Sequence, residues 1–117
     1  MMVLPFQVRV FLSTGYTDMR KSINGLSILV SQHLEMDPLS GHLFVFGNRR
    51  RNMVKILYWD RNGFCLWQKR LEKQFFRWPK DASEVCEMDH RQLGWLLEGL
   101  ETHQRQAHRA LDFAVVF

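Results

Sequence analysis

The run MVKILYW at residues 53–59 and the run FCLWQKR at 64–70 flank the tetrad Asp60-Arg61-Asn62-Gly63. Two segments rich in β-branched and aromatic residues around a short polar turn ending in glycine specify an antiparallel β-hairpin. A side-chain period of two then fixes the pairing. With Trp59 opposite Phe64, Leu57 faces Leu66 on one side of the ribbon, while Ile56 faces Trp67 and Tyr58 faces Cys65 on the other. Both faces are therefore partly apolar. A ribbon of this kind sits in the middle of a domain, covered from two sides.

The rest of the chain supplies the cover. From Asp18 to Leu34, the residues Met19, Ile23, Leu26, Val30 and Leu34 recur at helical spacing, which predicts an N-terminal amphipathic helix. Thr17 or Asp18 is expected to cap it. Gly25 weakens its middle by about 1 kcal/mol relative to alanine, and Asp37-Pro38 lies beyond its end. QVRVFL at 7–12 and HLFVFG at 42–47 read as strands, and QFFRW at 74–78 as a further short extended piece. Asp89 followed by Gln92 makes a capping box for a C-terminal helix with Leu93, Leu96, Leu97 and Leu100 on its apolar face. A length of 117 residues holds one domain. The expected class is α+β: a single compact domain with a central antiparallel β-hairpin or small sheet, an N-terminal amphipathic helix and a C-terminal helix. The expected domain spans residues 1–100, with residues 101–117 a variable C-terminal tail.

The formal charge of +4 hides a sharper distribution. Residues 1–48 are balanced, whereas residues 49–80 carry ten basic residues against Asp60 and Glu72, and residues 81–101 carry six acids against Arg91. A local excess of +8 is the asymmetry of an anion-binding face. GNRRRN at 47–52 lies between two predicted strands, where guanidinium groups reach adjacent phosphates with charge-assisted bonds. Lys55, Lys69 and Arg70 on the hairpin, and Lys73, Arg77 and Lys80 after it, extend the excess. The expected nucleic-acid-binding residues are Arg49, Arg50, Arg51, Lys55, Lys69, Arg70, Lys73 and Arg77, with Arg20, Lys21 and Trp59 as additional contacts. Tyr58, Trp59, Phe64, Trp67, Phe75, Phe76 and Trp78 are interleaved with these charges. Most of the rings are needed by the core, but any that is exposed can stack on an unpaired base. The alternative is a protein-interaction module whose basic face docks an acidic partner.

Other chemistries find little support. No histidine pair has the H-E-x-x-H spacing of a metal-binding helix, and no glycine-rich loop ends in Lys-Ser or Lys-Thr. Cys65 and Cys86 read as small buried hydrophobes of a reducing compartment. Asp18, Asp60 and Asp89 each have a local role as cap or turn residue, so no catalytic residue, metal or cofactor is expected. The enzymatic alternative is a metal-dependent nuclease using Asp18 and Asp60. Pro5 and Arg9 interrupt any signal-peptide-like apolar region, and no run approaches 18 apolar residues; no membrane association and a cytoplasmic location are expected.

The blocks TDMRKSINGL at 17–26, DPLSGHLFVF at 37–46 followed by NRRRN, KILYWDRNGFCLWQKRLE at 55–72, FFRWP at 75–79 and QLGWLLEGL ending at 100 are similar to the TnpB-type accessory proteins of the insertion-sequence-sixty-six family of bacterial mobile elements. The resemblance covers nearly all of residues 3–100 and rests on ordered blocks. It implies a protein made beside a larger transposase that assists transposition without an active site of its own. The element-encoded transposase is the partner it implies, and DNA is the partner expected from the basic residues. Its pattern falls on Asp18, Met19, Arg20, Lys21, Gly25, Leu26, Gly41, His42, Phe44, Arg49, Arg50, Lys55, Trp59, Asp60, Gly63, Lys69, Arg70, Leu71, Trp78 and Pro79. The sequence from Glu101 to Phe117, and His90 and Arg91, depart from it.

Overall fold

A computed structural model describes residues 7–102. Strand β1 is Val10–Tyr16, helix α1 Ile23–Ile28, β2 Leu43–Gly47, β3 Met53–Asp60, β4 Gly63–Arg70, β5 Val85–Met88 and helix α2 His90–Leu97. The strands form one five-stranded sheet in the order β4-β3-β2-β1-β5. β3 and β4 are the hairpin, and their pairing is the one the turn dictates: Trp59 opposite Phe64, Tyr58 opposite Cys65, Leu57 opposite Leu66 and Ile56 opposite Trp67. Arg61 takes the left-handed conformation in the turn, with φ 51°. β1 and β2 are parallel and joined through α1, while every other neighbouring pair is antiparallel. The fold is thus α+β, with a parallel pair inside the sheet that local patterning did not disclose.

The two faces of the sheet have separate cores. On one, Phe11, Phe44, Phe46 and Leu57 bury Leu26, Val30 and Leu34, with Met19, Ile23, Phe64 and Leu66 at the margin. On the other, Val10, Leu12, Val45, Val54 and Ile56 meet Leu93, Leu96 and Leu97 of α2, with Phe76 completing the layer and Tyr58, Trp67 and Trp78 packed against it. Truncating a side chain as fully enclosed as Leu26 or Leu96 to alanine costs about 2–5 kcal/mol.

Helix boundaries differ from those the sequence suggests. Asp18 does not cap a helix, because its carboxylate is engaged by Arg20: Oδ1 accepts the Arg20 backbone N–H at 2.9 Å and Oδ2 the guanidinium at 2.6 Å. That turn delays α1 until Ser22, which caps it without a side-chain bond. Beyond Ile28 the chain widens into a π-helical turn at Leu29–His33. Glu35, at φ 55°, then reverses the chain, and Met36 N–H closes onto the Val30 carbonyl at 3.0 Å. The capping box of α2 is present, with Gln92 N–H donating to Asp89 Oδ1 at 2.7 Å and Asp89 N–H to Gln92 Oε1 at 2.9 Å. Gly99, at φ 80°, stops α2 short, so Leu100 leaves the apolar face it was expected to join and is 44% exposed. Residues 74–78 form no strand, and β5, too short and mixed to stand out in sequence, takes the sheet edge beside β1. The tail expected at 101–117 lies, from residue 103 on, outside the described residues.

Candidate nucleic-acid interface

β1, β2 and β4 all finish at the same end of the sheet, where β3 and β5 begin, as their pairings require. The connections there are tied to one another. Thr17 N–H donates to the Gly47 carbonyl at 2.7 Å, which sets the loop before α1 beside the turn from Asn48 to Asn52. Asn48 organises that turn by accepting the N–H groups of Asn52 and Met53 at Oδ1, both at 3.0 Å. The strap after β4 is then sewn across it. Leu71 N–H donates to the Asn52 carbonyl at 2.8 Å, Phe76 N–H to the Arg51 carbonyl at 2.6 Å, and the Trp78 indole N–H to the Ser13 carbonyl at 3.0 Å. The Trp78 ring lies on the bare backbone of Gly47, where an added Cβ would come within 2.7 Å of it.

The topology therefore brings three basic segments together: Arg20 and Lys21 before α1, Arg49 and Arg50 in the turn, and Arg70, Lys73, Arg77 and Lys80 on or beside the strap. All eight are exposed. Three acids at this end pair with its arginines, Asp18 with Arg20 at 2.6 Å, Glu72 with Arg70 at 3.2 Å and Glu101 with Arg77 at 3.8 Å, while Glu84 stands 3.6 Å from His33 and Asp81 lies in the grooves lined by Tyr16 and Lys80. Lys21, Arg49, Arg50, Lys73 and Lys80 make no ion pair with an acid among the described residues. Arg49 instead stands over the ring of Tyr16, 5.5 Å from its centroid. Hydrogen bonds from Arg20 hold the Asp18 carboxyl at about 2, well below its ordinary value.

Three residues expected in the phosphate-contacting set are committed elsewhere. Lys55 is only 8% exposed, and its ammonium donates to the carbonyls of Met19 at 2.8 Å and Lys21 at 3.0 Å, so it pins the loop before α1 from beneath. Lys69 donates to the Leu97 carbonyl at 2.8 Å, satisfying one of the free acceptors at the C-terminus of α2. Arg51, at φ 59°, stacks on Trp78 at 5.0 Å and donates to the Thr14 carbonyl at 3.2 Å, and burial lowers its pKa. Arg51 and Trp78 together serve the carbonyls of Thr14 and Ser13, where β1 bulges away from β2 between Leu12 and Tyr16. Trp59 is far from the basic end: about 17 Å of strand separates it from the β3 residue opposite Gly47, and it packs edge-on against Phe64 at 5.0 Å. Sequence patterning also overlooks Tyr16, which lies in the neutral N-terminal third and meets Arg49 only because Tyr16 pairs with Gly47.

The same geometry bears on the enzymatic alternative. Asp18 is at the basic end and Asp60 at the opposite tip of the hairpin, separated by about 20 Å of β3, so the two carboxylates do not converge on one ion. Among the described residues no group of three or more His, Cys, Asp or Glu is arranged to hold a metal. Cys65 on β4 and Cys86 on β5 occupy the two opposite edge strands and are free thiols; burial raises the pKa of Cys86. No helix among the described residues is long and apolar enough to cross a membrane.

Residues 8–107 match the family described as IS66 Orf2-like protein. Two relatives from Sinorhizobium fredii, uncharacterized proteins y4hO and y4jC, are similar over most of their length. The first is 37% identical over 99 residues, covering 85% of this chain and 86% of the relative; the second is 33% identical over 94 residues, covering 80% of each. No solved structure matches.

Proposed function

The chain belongs to the IS66 Orf2-like family, and from that membership we propose that it is a noncatalytic accessory factor that holds DNA, the element's transposase or both on the basic end of its sheet. The family carries a transposition-associated accessory role; the surface and its ligand are the proposal. What supports it is the convergence of eight exposed cations from three separate segments on one end of the domain, five of them without an acidic partner among the described residues. Guanidinium and ammonium groups free of carboxylates are the ones that exchange counterions for phosphates. If six phosphates are contacted on a duplex, the logarithmic salt slope of binding is about −5. Titration of labelled duplex and single-stranded DNA at low salt tests this. Binding that weakens steeply as salt rises is expected, and no measurable affinity at low salt sinks the DNA reading.

The carboxylates at this end also show that its arginines accept acidic side chains: Arg20, Arg70 and Arg77 each hold one. An acidic surface of the transposase is accordingly the second partner. Copurification from cells expressing both proteins separates the two modes: a complex that survives nuclease rests on protein contact, and one that dissolves rests on DNA.

A further inference from the structure

We infer that the basic end is built for unpaired DNA, with Tyr16 and Phe75 as stacking platforms for bases; this rests on the DNA reading above. Among the described residues, packing accounts for every other ring but Trp95. Phe11, Phe44, Phe46 and Phe76 are buried, Tyr58, Trp67 and Trp78 pack against the α2-side core, and Trp59 and Phe64 cover each other. Tyr16 and Phe75 stand apart, 63% and 62% exposed. They are the aromatic members of the exposed large hydrophobic set among the described residues, and both are at the basic end.

Their placement follows from the ties already described. Tyr16 closes β1 beside Gly47 and lies beneath Arg49. Phe75 precedes Phe76, whose N–H is bonded to Arg51 in the same turn, and with Arg77 it lines an open groove of about 460 Å³. Tyr16 thus lies beside the turn that carries Arg49 and Arg50, in a groove it shares with Leu29 and His33, and Phe75 adjoins the residue tied to that turn, on the side of Gly99. Leaving two large rings in water forgoes the gain that burying them would give the fold, and neither ring is needed to fill the core.

The duplex and single-strand cases part on this point. Inside a duplex, base faces are covered by their stacked neighbours, so an exposed ring meets an open face only by unstacking a step at a cost of a few kcal/mol, and the backbone and groove edges are what the protein reaches first. In a single strand each base has an open face, and rings interleaved with cations bind base and backbone together, tolerant of sequence.

The test compares a labelled oligothymidine strand with a blunt duplex of equal length, each titrated with wild type, Tyr16→Ala, Phe75→Ala, Tyr16→Phe and Arg49→Ala. Because both rings are exposed, the alanine variants keep the wild-type circular dichroism and melting profile. Each alanine variant at a ring is expected to lose about tenfold in affinity for the single strand and to leave the duplex unchanged, with Tyr16→Phe retaining the wild-type affinity. Arg49→Ala weakens both. If ring removal leaves single-strand binding untouched, or weakens strand and duplex equally, the stacking inference is overturned while salt-dependent DNA binding stands. If neither DNA binds at low salt, the DNA reading falls and stacking falls with it.

Discussion

Lys55 lies in β3 with its ammonium turned onto the carbonyls of Met19 and Lys21, whereas Arg49, six positions earlier, is exposed over Tyr16. Both are basic residues of the same charged third, and although sequence puts Arg49 in a turn and Lys55 on a strand, it does not say which of them meets a partner inside the fold. What separates them is which carbonyls the fold delivers beneath β3, and that depends on a loop far away in the chain. The expected consequences differ in kind. Lys55→Met removes the donor to two carbonyls and costs about 1–3 kcal/mol in chemical denaturation. Arg49→Ala changes stability by no more than about 0.5 kcal/mol but reduces the magnitude of the salt slope of DNA binding by about 1. Asp18 supplies a third prediction. Its folded pKa of about 2 is below the ordinary carboxylate value, so its contribution to stability is complete above the unfolded value and is lost as pH falls through the folded one. Carboxyl titration by NMR should place Asp18 near 2 in the wild type and return it toward the ordinary range in Arg20→Ala. The basic end therefore keeps its Asp18–Arg20 pair throughout the neutral range.

The hairpin was legible because its turn residues set the register and a period of two does the rest; one slipped residue would have turned Leu57 and Leu66 to the wrong core. The start of α1 was not legible, since Asp18 has a local competitor in Arg20 that no helical pattern reveals. β5 and the strap were hidden for a related reason: they are held by long-range bonds to Ser13, Thr14, Arg51 and Asn52 rather than by their own periodicity. The contact between Gly47 and Trp78 is the clearest such case. Gly47→Ala would push a methyl into the indole, and an overpacking cost of about 1–3 kcal/mol is expected in equilibrium unfolding. Trp78→Leu should also destabilise, through loss of the ring and of the bond to Ser13, but the double variant Gly47→Ala/Trp78→Leu should cost less than the two singles together, because the clash is gone.

Across the whole molecule, the charge excess of residues 49–80 was visible in sequence, but its shape was not. Because β1 runs parallel to β2 and the strap crosses back from β4 to β1, basic residues from both the N-terminal third and the middle third arrive at one end, and Trp59 and Arg61 are carried to the other. The same routing takes Lys55, Lys69 and Arg51 out of the exposed set by giving each a backbone carbonyl to bind. Replacing Arg49, Arg50, Lys73 and Lys80 together by alanine should reduce the magnitude of the salt slope by about 4 if each meets a phosphate, with the melting temperature little changed. The most direct test of the basic end as the DNA surface is an amide NMR titration of the whole chain with DNA. Shifts are expected to concentrate at residues 16–21, 48–51 and 72–80, with the hairpin tip at 60–63 and the turn at 37–41 unmoved. Shifts centred on that tip, or spread evenly over the sheet, would contradict the basic end as that surface.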